Sequence, residues 1–430
     1  MRARVAVLAA ALLYGFLLTP LAQAQAPAPV LAAARPEAVG LSGARLGQLS
    51  AALKSDIEKG VIPGATLLVA RHGKIAWFES MGVRDPGNRA PMSKDAIFRI
   101  YSMSKPITSV AVLMLVEEGK IALADPVSKY IPQLGGLKVG VEKPGANGPT
   151  LELEPARREI TVQDLLRHTS GLTYGFFGPG LVKKAYVDAK LWEDYPSNAE
   201  FVDRLAKLPL LYQPGTTWDY SHSTDVLGRL VEVVSGRTFG EFLTARIFTP
   251  LGMPDTAFYV GDAAKQGRIA EPFPNDRSIG VGAELNDPRV VQKWESGGGG
   301  LVSTTMDYAR FLQMLLNGGS LNGKRLLSPK IVAYMTADHL GGGAVPGPLY
   351  LPGAGFGFGL GFAVRKDAGV SPFPGSVAEY NWGGAAGTYF WVDPKEDLFV
   401  VYMMQSPKQR VAVRALLKNM IYGAVEKAAR

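Results

Sequence analysis

The chain has 430 residues, 47% of them hydrophobic and 20% charged, and is long enough to bury a large core. It contains no cysteine, which excludes disulfide bonds, thiolate metal sites and a cysteine nucleophile. The formal net charge is +8, but the basic residues are scattered, so we expect no nucleic-acid binding. His72, His168, His222 and His339 lack metal-ligand spacing, and neither a metal nor another cofactor is expected.

Residues 1–24 have the pattern of a secretory signal peptide. Two arginines precede an apolar run over residues 5–18, and Ala22-Gln23-Ala24 supplies the small residues of a cleavage site. A transmembrane helix needs about 20 apolar residues, so an uncleaved anchor is the less favoured alternative. We predict cleavage near Ala24, export to the periplasm or the medium, no stable membrane anchor, and a flexible lead-in over residues 25–40.

The first elements after the lead-in are predicted to be a helix and a β-hairpin. Residues 41–60 place apolar side chains at helical spacing, with Ser42 as a candidate N-cap. Two strand-like runs follow, at residues 65–70 and 74–82, and Arg71-His72-Gly73 between them is typical of a turn. The chain therefore begins with the order helix, strand, strand.

Residues 98–119 predict a central buried helix that carries two reactive side chains. Ser102 and Lys105 are three residues apart, so on a helix they project from one face. The residues that follow are apolar nearly all round, and a helix without a polar face is a buried one. Unpaired amides and the dipole at its N-terminus favour developing negative charge. The S-x-x-K spacing alone is expected about once by chance, so other parts of the chain must support it.

The middle of the chain is mostly helical in pattern and is broken by Gly/Pro-rich loops. Residues 138–160 are typical of an inserted loop or a small hairpin. Helical periodicity recurs in short segments over residues 161–168, 227–234, 306–316 and 328–336.

Strand patterns return near the C-terminus, at residues 357–364, 387–392 and 398–404, and a helical pattern closes the chain over residues 409–428. Two N-terminal and three C-terminal strands are too few for two separate sheets. We therefore predict an α/β fold of the α+β type, with one antiparallel sheet of about five strands built from both chain ends, flanked by the terminal helices, plus a mostly helical lobe.

The predicted domain organisation follows from this arrangement. One domain would occupy residues 41–430. Its α/β lobe would comprise residues 41–100 and 345–430, and its helical lobe residues 101–344.

Two further segments offer what a serine nucleophile needs. Tyr220 lies in a loop that enters a helix, where it either points into a cleft or packs in the core. Trp382-Gly383-Gly384 lies in or beside a strand, and glycines there indicate either a bulge or the close approach of a ligand. A proton relay and amides for an oxyanion are the two elements that an acyl-transfer site must add to its nucleophile.

Ser102-Met103-Ser104-Lys105, Tyr220-Ser221-His222 and Trp382-Gly383-Gly384, in that order, resemble the motifs of the serine β-lactamase and penicillin-binding protein superfamily. The chain is most similar to the family VIII carboxylesterases, which are like class C β-lactamases. Three further segments support this resemblance: residues 165–171, 213–215 and 297–304.

The resemblance implies a role for each motif. Ser102 would attack an acyl carbonyl, Lys105 would take its proton, and Tyr220 would relay a proton to the leaving group. The backbone amides of Ser102 and Ala385 would form the oxyanion hole. Whether Lys105 or Tyr220 is the general base is left open, because a coupled pair need not have a single assignment.

Two departures from class C β-lactamases bear on specificity. Trp382 replaces the lysine that begins the third motif, and His222 replaces an asparagine. Without that lysine, an expected partner for a carboxylate is missing, which favours neutral esters. Trp382, Gly383, Gly384 and His222 are the predicted substrate-binding residues, and His222 either hydrogen-bonds Lys105 or packs.

Other polar and aromatic residues have less specific predictions. His168 is interpreted as structural. Four aromatic residues either line an acyl pocket or pack in the core: Phe176, Phe177, Tyr186 and Trp192.

The sequence thus predicts an exported serine carboxylesterase that cleaves small-molecule esters of short or medium acyl chains. The alternatives are a β-lactamase, a D-Ala-D-Ala carboxypeptidase or another amide hydrolase, and a non-catalytic penicillin-binding-like sensor. Transfer of the acyl group to an alcohol other than water is a further possibility.

Overall fold

A computed structural model of the protein describes residues 31–280 and 283–429. The predicted signal peptide, residues 1–24, lies outside the described residues, as do residues 25–30 of the predicted lead-in. Within the described ranges, no helix combines the length and apolar character that a membrane span requires.

The strands range from two to twelve residues in length. In chain order they are β1 (Ala32–Ala33), β2 (Gly64–Arg71), β3 (Lys74–Asp85), β4 (Ala90–Pro91), β5 (Phe98–Arg99), β6 (Lys138–Lys143), β7 (Thr150–Pro155), β8 (Thr217–Trp218), β9 (Ser278–Gly280), β10 (Ala283–Glu284), β11 (Val302–Ser303), β12 (Ser320–Leu321), β13 (Lys324–Arg325), β14 (Val345–Pro346), β15 (Phe356–Phe358), β16 (Ala363–Arg365), β17 (Tyr380–Gly383), β18 (Tyr389–Asp393) and β19 (Leu398–Met404).

The α-helices are distributed along the whole chain. They are α1 (Gly43–Glu58), α2 (Ser104–Glu117), α3 (Val162–Leu166), α4 (Leu181–Asp188), α5 (Asn198–Leu205), α6 (Ser223–Ser235), α7 (Phe239–Leu243), α8 (Thr249–Leu251), α9 (Ala263–Gln266), α10 (Thr305–Leu316), α11 (Pro329–Met335) and α12 (Ala412–Gly423). Residues 244–248 form a π-helical turn between α7 and α8.

One large sheet joins the two ends of the chain. Its strand order is β1-β3-β2-β19-β18-β17-β16-β15, and β4 pairs with β3. The central contact is between β2 and β19, which run antiparallel with Ala65 opposite Met404 and Arg71 opposite Leu398. Every residue of these two strands is buried, because both faces of the sheet are covered at its centre.

The prediction of about five antiparallel strands is too low, since the sheet has nine. β1, β4 and β17 have only two to four residues, too few to leave a clear alternating pattern. The single strand predicted at residues 357–364 is two strands, β15 and β16, with Gly361 at φ 107° in the turn between them. β1 also pairs parallel to β3, so the sheet is mixed.

The second half of the predicted flexible lead-in has regular structure. Residues 32–33 form β1, and Pro36–Val39 forms a 3-10 helix that precedes α1. Ala34 also donates its backbone amide to the carbonyl of Ile75 at 2.9 Å. The composition of this segment predicted that its backbone N–H and C=O groups would remain in solvent. Pairing with the edge of the sheet gives them hydrogen-bond partners instead.

Helices α1 and α12 cover one face of the sheet and α2 and α10 lie on the other. Leu46, Leu49 and Leu53 of α1 pack with Leu417 and Ile421 of α12 against the central strands. Each leucine buried in this way contributes roughly 1.5–3 kcal/mol. On the other face, α10 contacts β2 and β19, and Thr305 Oγ1 lies 2.5 Å from Thr66 Oγ1. Helix α10 lies within residues 101–344, the segment predicted to form the helical lobe, but it packs on the sheet.

Helix α2 lies at the centre of the molecule, and every residue from Ser104 to Leu115 is buried. Gly119 follows its end in the left-handed region at φ 71°. Ser102 lies just before the helix, in a 3-10 turn over Tyr101–Met103, with Tyr101 at φ 42°. The serine therefore precedes α2 by a tight turn, and Lys105 lies in the first turn of α2.

Candidate active site

Lys105 lies at the centre of the predicted site and is completely buried. Its Nζ donates to Gly298 O at 2.6 Å, to Tyr174 Oη at 3.2 Å and to Ser102 Oγ at 3.3 Å. These three acceptors match the three hydrogens of an ammonium group. Among the described residues, no carboxylate forms an ion pair with Lys105. The lysine is thus held by neutral acceptors and directed at Ser102.

Tyr220 lies beside Lys105. Its side chain is almost buried, and the ring centroid is 4.5 Å from Lys105 Nζ. Its hydroxyl oxygen accepts a hydrogen bond from the indole Nε1 of Trp382 at 3.1 Å. The first and third motifs therefore both contact Tyr220.

The glycine-rich end of β17 lies directly against the segment that carries Ser102. A Cβ atom on Gly384 would be 2.3 Å from the carbonyl oxygen of Ile100, so only glycine fits there. Thr388 Oγ1 also donates to Ile100 O at 3.3 Å. Within the described chain, the backbone amide of Ala385, in the turn after Gly384, has no protein acceptor. The turn thus holds a free donor next to the Ser102 loop.

His222 is buried and packs beneath the site. Its Nδ1 lies 3.0 Å from Asp225 Oδ2, and its ring makes an edge contact with Tyr174 at 4.4 Å between centroids. Of the two alternatives, a hydrogen bond to Lys105 or packing, the structure has the second. The hydroxyl that accepts from Lys105 belongs to Tyr174, and His222 packs against that tyrosine. Within the described residues His222 makes no direct hydrogen bond to Lys105 and is linked to it through Tyr174 and through Asp225.

Asp225 connects His222 to the glycine loop that holds Lys105. Its Oδ1 accepts from the amide of Gly298 at 3.0 Å and from Ser296 Oγ at 2.5 Å. Burial by itself raises the pKa of Asp225, but the hydrogen bond and charge of His222 and the charge of Lys105 outweigh it and lower that pKa. A buried carboxylate therefore fixes Gly298, whose carbonyl accepts from Lys105.

Sequence reasoning missed Tyr174, Asp225 and Gly298 as parts of the site. Tyr174 comes three residues after the phrase that ends at Gly171, and Asp225 comes three residues after His222 on the first turn of α6. The available signals were the helical spacing between His222 and Asp225 and the position of Gly298 within the supporting segment 297–304. The contact of both with the distant Gly298 loop depends on tertiary structure.

His168 is a buried neighbour of Tyr220, in agreement with a structural role. Its Nδ1 lies 3.2 Å from Ser221 Oγ, and its ring centroid is 5.0 Å from that of Tyr220. Burial, reinforced by the charge of Lys105, holds the pKa of His168 well below 6.5. The imidazole is therefore neutral at physiological pH.

Aromatic residues form one wall beside the Lys105 cluster. Phe176 stacks on Tyr174 at 4.8 Å, and Phe177 is 5.9 Å from Tyr220; both are partly exposed. Tyr186, in contrast, is buried with its ring parallel to His222 and is part of the core. Trp192 is 38% exposed and makes an edge contact with Phe176 at 6.4 Å, so Phe176, Phe177 and Trp192 keep exposed apolar surface while Tyr186 does not.

The fold and the pairing of a half-buried serine with a buried lysine define a protein of the serine β-lactamase and penicillin-binding protein class. The model of the family described as Beta-lactamase matches residues 49–420. The chain therefore belongs to the beta-lactamase family. Over the residues that the structure describes, no group of histidine, aspartate and glutamate side chains is arranged to hold a metal ion.

Named relatives indicate which branch of the family this is. Esterase EstB of Burkholderia gladioli is 31% identical over 393 residues, which cover 86% of this chain and 92% of EstB. Lovastatin esterase of Penicillium rubens is 30% identical over 379 residues, which cover 81% of this chain and 90% of that esterase. The solved structure of EstCE1, a hydrolase with promiscuous acyltransferase activity, matches with a TM-score of 0.74 and 26% identity over 88% of this chain and 98% of EstCE1. The protein is a β-lactamase-like serine carboxylesterase.

Proposed function

We propose that this esterase acts through an acyl-enzyme formed on Ser102. The observation that carries the proposal is the buried Lys105 Nζ, 3.3 Å from Ser102 Oγ and surrounded by neutral acceptors. Its amine lies within hydrogen-bond distance of the Ser102 hydroxyl, which is the geometry that a proton transfer between the two requires. Ser102 is accordingly the nucleophile.

Lys105 and Tyr220 together move the proton. Ser102 Oγ attacks the ester carbonyl carbon and its proton passes to this pair; the alcohol then leaves with that proton as the ester C–O bond breaks. Water attacks the acyl-enzyme, gives a proton to the same pair, and Ser102 recovers its hydrogen as the acid leaves. The hydrogen bond from Trp382 to the Tyr220 hydroxyl and the position of Lys105 over the Tyr220 ring hold Tyr220 next to Lys105, which supports Tyr220 as the relay.

The oxyanion is proposed to bind the amides of Ser102 and Ala385. Gly384 supports this because its contact with Ile100 brings the turn that contains Ala385 to the Ser102 loop. Losing one such donor typically costs about 3 kcal/mol in transition-state stabilisation. His222 is proposed to act on the substrate only indirectly, through Tyr174.

Esters with short or medium acyl chains are the proposed substrates. Phe176 and Phe177 are partly exposed and pack against Tyr174 and Tyr220, and EstB and lovastatin esterase are esterases by name. Apolar contact area favours an aliphatic acyl group over a peptide.

The test is an intact-mass measurement during turnover of 4-nitrophenyl butyrate. Wild-type protein should gain the mass of one butyryl group, and Ser102→Ala should gain none and lose hydrolysis by at least about 10³-fold. Assays of a chromogenic cephalosporin and a D-Ala-D-Ala peptide run in parallel. A higher kcat/KM on either one, or wild-type hydrolysis by Ser102→Ala, would contradict the proposal.

A further inference from the structure

Tyr101, the residue directly before Ser102, has a backbone conformation that a tyrosine rarely adopts. Its φ is 42°, in the left-handed region where the Cβ atom of an L-residue crowds the following carbonyl oxygen. The peptide bond between Tyr101 and Ser102 carries the Ser102 amide, so the conformation of Tyr101 sets the direction of that amide. Within the described chain, the Ser102 amide donates to no protein acceptor. A strained residue therefore orients a free donor at the reactive serine.

Asn286 holds the far end of the Tyr101 side chain. The Tyr101 hydroxyl donates to Asn286 Oδ1 at 2.9 Å and accepts from the Asn286 backbone amide at 3.0 Å. A rotation of the ring that relaxed the backbone would break both hydrogen bonds. Strain of this kind persists only where the surrounding structure fixes it, and here the fixing contact is Asn286.

The same residue holds Arg99, on the other side of Ile100. Arg99 is buried, and its Nε donates to the backbone carbonyl of Asn286 at 2.6 Å. Asn286 thus makes three hydrogen bonds to the two neighbours of Ile100. Residues 99–101 are fixed by one loop residue that is distant in sequence.

The carbonyl of Ile100 is also where the second proposed oxyanion donor is positioned. Thr388 Oγ1 donates to Ile100 O at 3.3 Å, and a Cβ atom on Gly384 would be 2.3 Å from that oxygen. The turn that contains Ala385 therefore lies against the residues that Asn286 holds. A shift of residues 99–101 would displace the Ser102 amide and change its position relative to the Ala385 amide.

We infer that Asn286 is a positioning residue for the oxyanion hole: through Tyr101 and Arg99 it fixes the strained turn that carries the Ser102 amide. This inference rests on the proposed Ser102 chemistry and adds to it the residue that aligns the oxyanion donors. Negative charge on the carbonyl oxygen develops only in the transition state, so a misaligned amide lowers kcat and leaves KM nearly unchanged.

The test removes the hydrogen bonds and keeps the ring. Tyr101→Phe loses both bonds to Asn286, and its kcat for 4-nitrophenyl butyrate should fall about tenfold while KM stays within about twofold of the wild type. Inhibition by butylboronic acid is the second readout, because its tetrahedral adduct with a serine hydroxyl places an oxygen where the oxyanion forms. The inhibition constant should rise about tenfold in Tyr101→Phe. A smaller folded fraction would lower only the concentration of active sites, which does not change this constant.

Tyr130→Phe is the matched control, since it also deletes a tyrosine hydroxyl that bonds a loop residue. Tyr130 Oη donates to Asp125 Oδ2 at 2.5 Å in the segment that follows α2, and kcat and the inhibition constant should both stay within about twofold of the wild type. Asn286→Ala and Asn286→Asp form a second pair. Asn286→Asp keeps the acceptor oxygen for Tyr101 and should retain about half of the wild-type kcat or more, whereas Asn286→Ala should lose about fivefold.

The outcomes separate this inference from the proposed function. A wild-type kcat in Tyr101→Phe, or a lower kcat with an unchanged inhibition constant, would overturn the positioning role while leaving the acyl-enzyme mechanism intact. If Tyr101→Phe fails to fold, the Asn286 pair decides: equal kcat values in Asn286→Ala and Asn286→Asp refute the role, and a loss confined to Asn286→Ala supports it. Wild-type protein that forms no acyl adduct would instead refute the Ser102 proposal.

Discussion

The position of Lys105 depends on a buried carboxylate that does not bond it directly. Its carbonyl acceptor, Gly298 O, belongs to a loop that Asp225 holds through the Gly298 amide and Ser296 Oγ. A Cβ atom on Gly298 would be 2.9 Å from the Asp225 carboxylate and 3.0 Å from Tyr174 Oη, so the loop has no room to rearrange. The orientation of the lysine is thus set by a buried carboxylate two contacts away.

Asp225→Asn should therefore reduce kcat by about 10- to 100-fold with little change in KM, because it weakens the hold on Gly298 and leaves His222 without its anionic partner. Removing one member of a buried pair also costs about 3–5 kcal/mol of stability. Kinetics at a temperature well below the melting point separate the two effects. The exposed Asp188→Asn is the control, and an equal effect there would contradict a positioning role.

The neutral state of His168 predicts how stability depends on pH. The pKa of His168 is well below 6.5 in the folded protein and near 6.5 in the unfolded chain. At any pH between these two pKa values, the unfolded chain therefore binds more protons than the folded protein. The free energy of unfolding accordingly falls as the pH decreases through this range. The slope approaches about 1.4 kcal/mol per pH unit. The groups that face the ring are Ser221, Tyr220, Trp218, Phe358 and the charge of Lys105.

Urea unfolding at pH 7.5 and 5.0 measures this dependence, and His168→Gln should have a smaller loss of stability between the two pH values than the wild type. The exposed His72→Gln, which removes a partner of Asp397, should keep the wild-type loss. Equal losses in wild type and His168→Gln would show that another group titrates.

At the scale of elements, the turn between β17 and β18 sets the position of the predicted oxyanion amide. Its close contact with Ile100 depends on the missing side chain of Gly384. The ladder from β17 through β18 to β19 and β2 fixes that turn relative to the rest of the sheet. A displacement of a few tenths of an ångström at Gly384 is therefore transmitted directly to Ala385.

Gly384→Ala should lower kcat by about 10²-fold, because the new methyl group would lie 2.3 Å from Ile100 O and must push the turn away. Gly423→Ala at the end of α12 is the matched control, since a Cβ there meets nothing within 4 Å and should leave kcat unchanged. Burst kinetics with 4-nitrophenyl butyrate measure the acylation step, and a wild-type burst rate in Gly384→Ala would contradict the placement of the oxyanion hole.

At the scale of the whole molecule, the pairing of β2 with β19 makes both chain ends part of one sheet. The helices α1 and α12 then pack as a single layer, and Ser42 and Ala424 are joined by a backbone hydrogen bond of 2.8 Å. The candidate nucleophile Ser102, Tyr220 and the glycine-rich end of β17 are supplied by segments that are more than 100 residues apart. The site therefore requires the complete sheet.

Export remains a proposal at this scale. Expression with the full N-terminus should give a protein whose intact mass and N-terminal sequence correspond to a start at Gln25, in the periplasm or the medium. Replacing Ala22 and Ala24 with leucine should block processing. A mature protein that still begins at Met1 would contradict the signal-peptide prediction, and the Ser102→Ala protein serves as a control that processing does not depend on activity.

Local pattern was sufficient for a large part of the fold. The β2–β3 hairpin and β19 follow from strand-forming runs of six or more residues, α1 from helical apolar spacing and α2 from a long apolar run, and the hairpin formed by β6 and β7 was one of two stated alternatives. The short edge strands and the split between β15 and β16 were not predicted, because two or three residues carry too little periodicity. Their structure is set by their neighbours in the sheet.

The sequence by itself determined the nucleophile and proton-relay candidates, because the spacing from Ser102 to Lys105 and the order of the three motifs are properties of the chain. Only the tertiary structure decided what surrounds them: Tyr174 rather than His222 bonds Lys105, Asp225 holds Gly298, and Asn286 holds Tyr101. The physical reason is that each of these contacts joins segments distant in sequence, and their distances depend on how the sheet and helices pack.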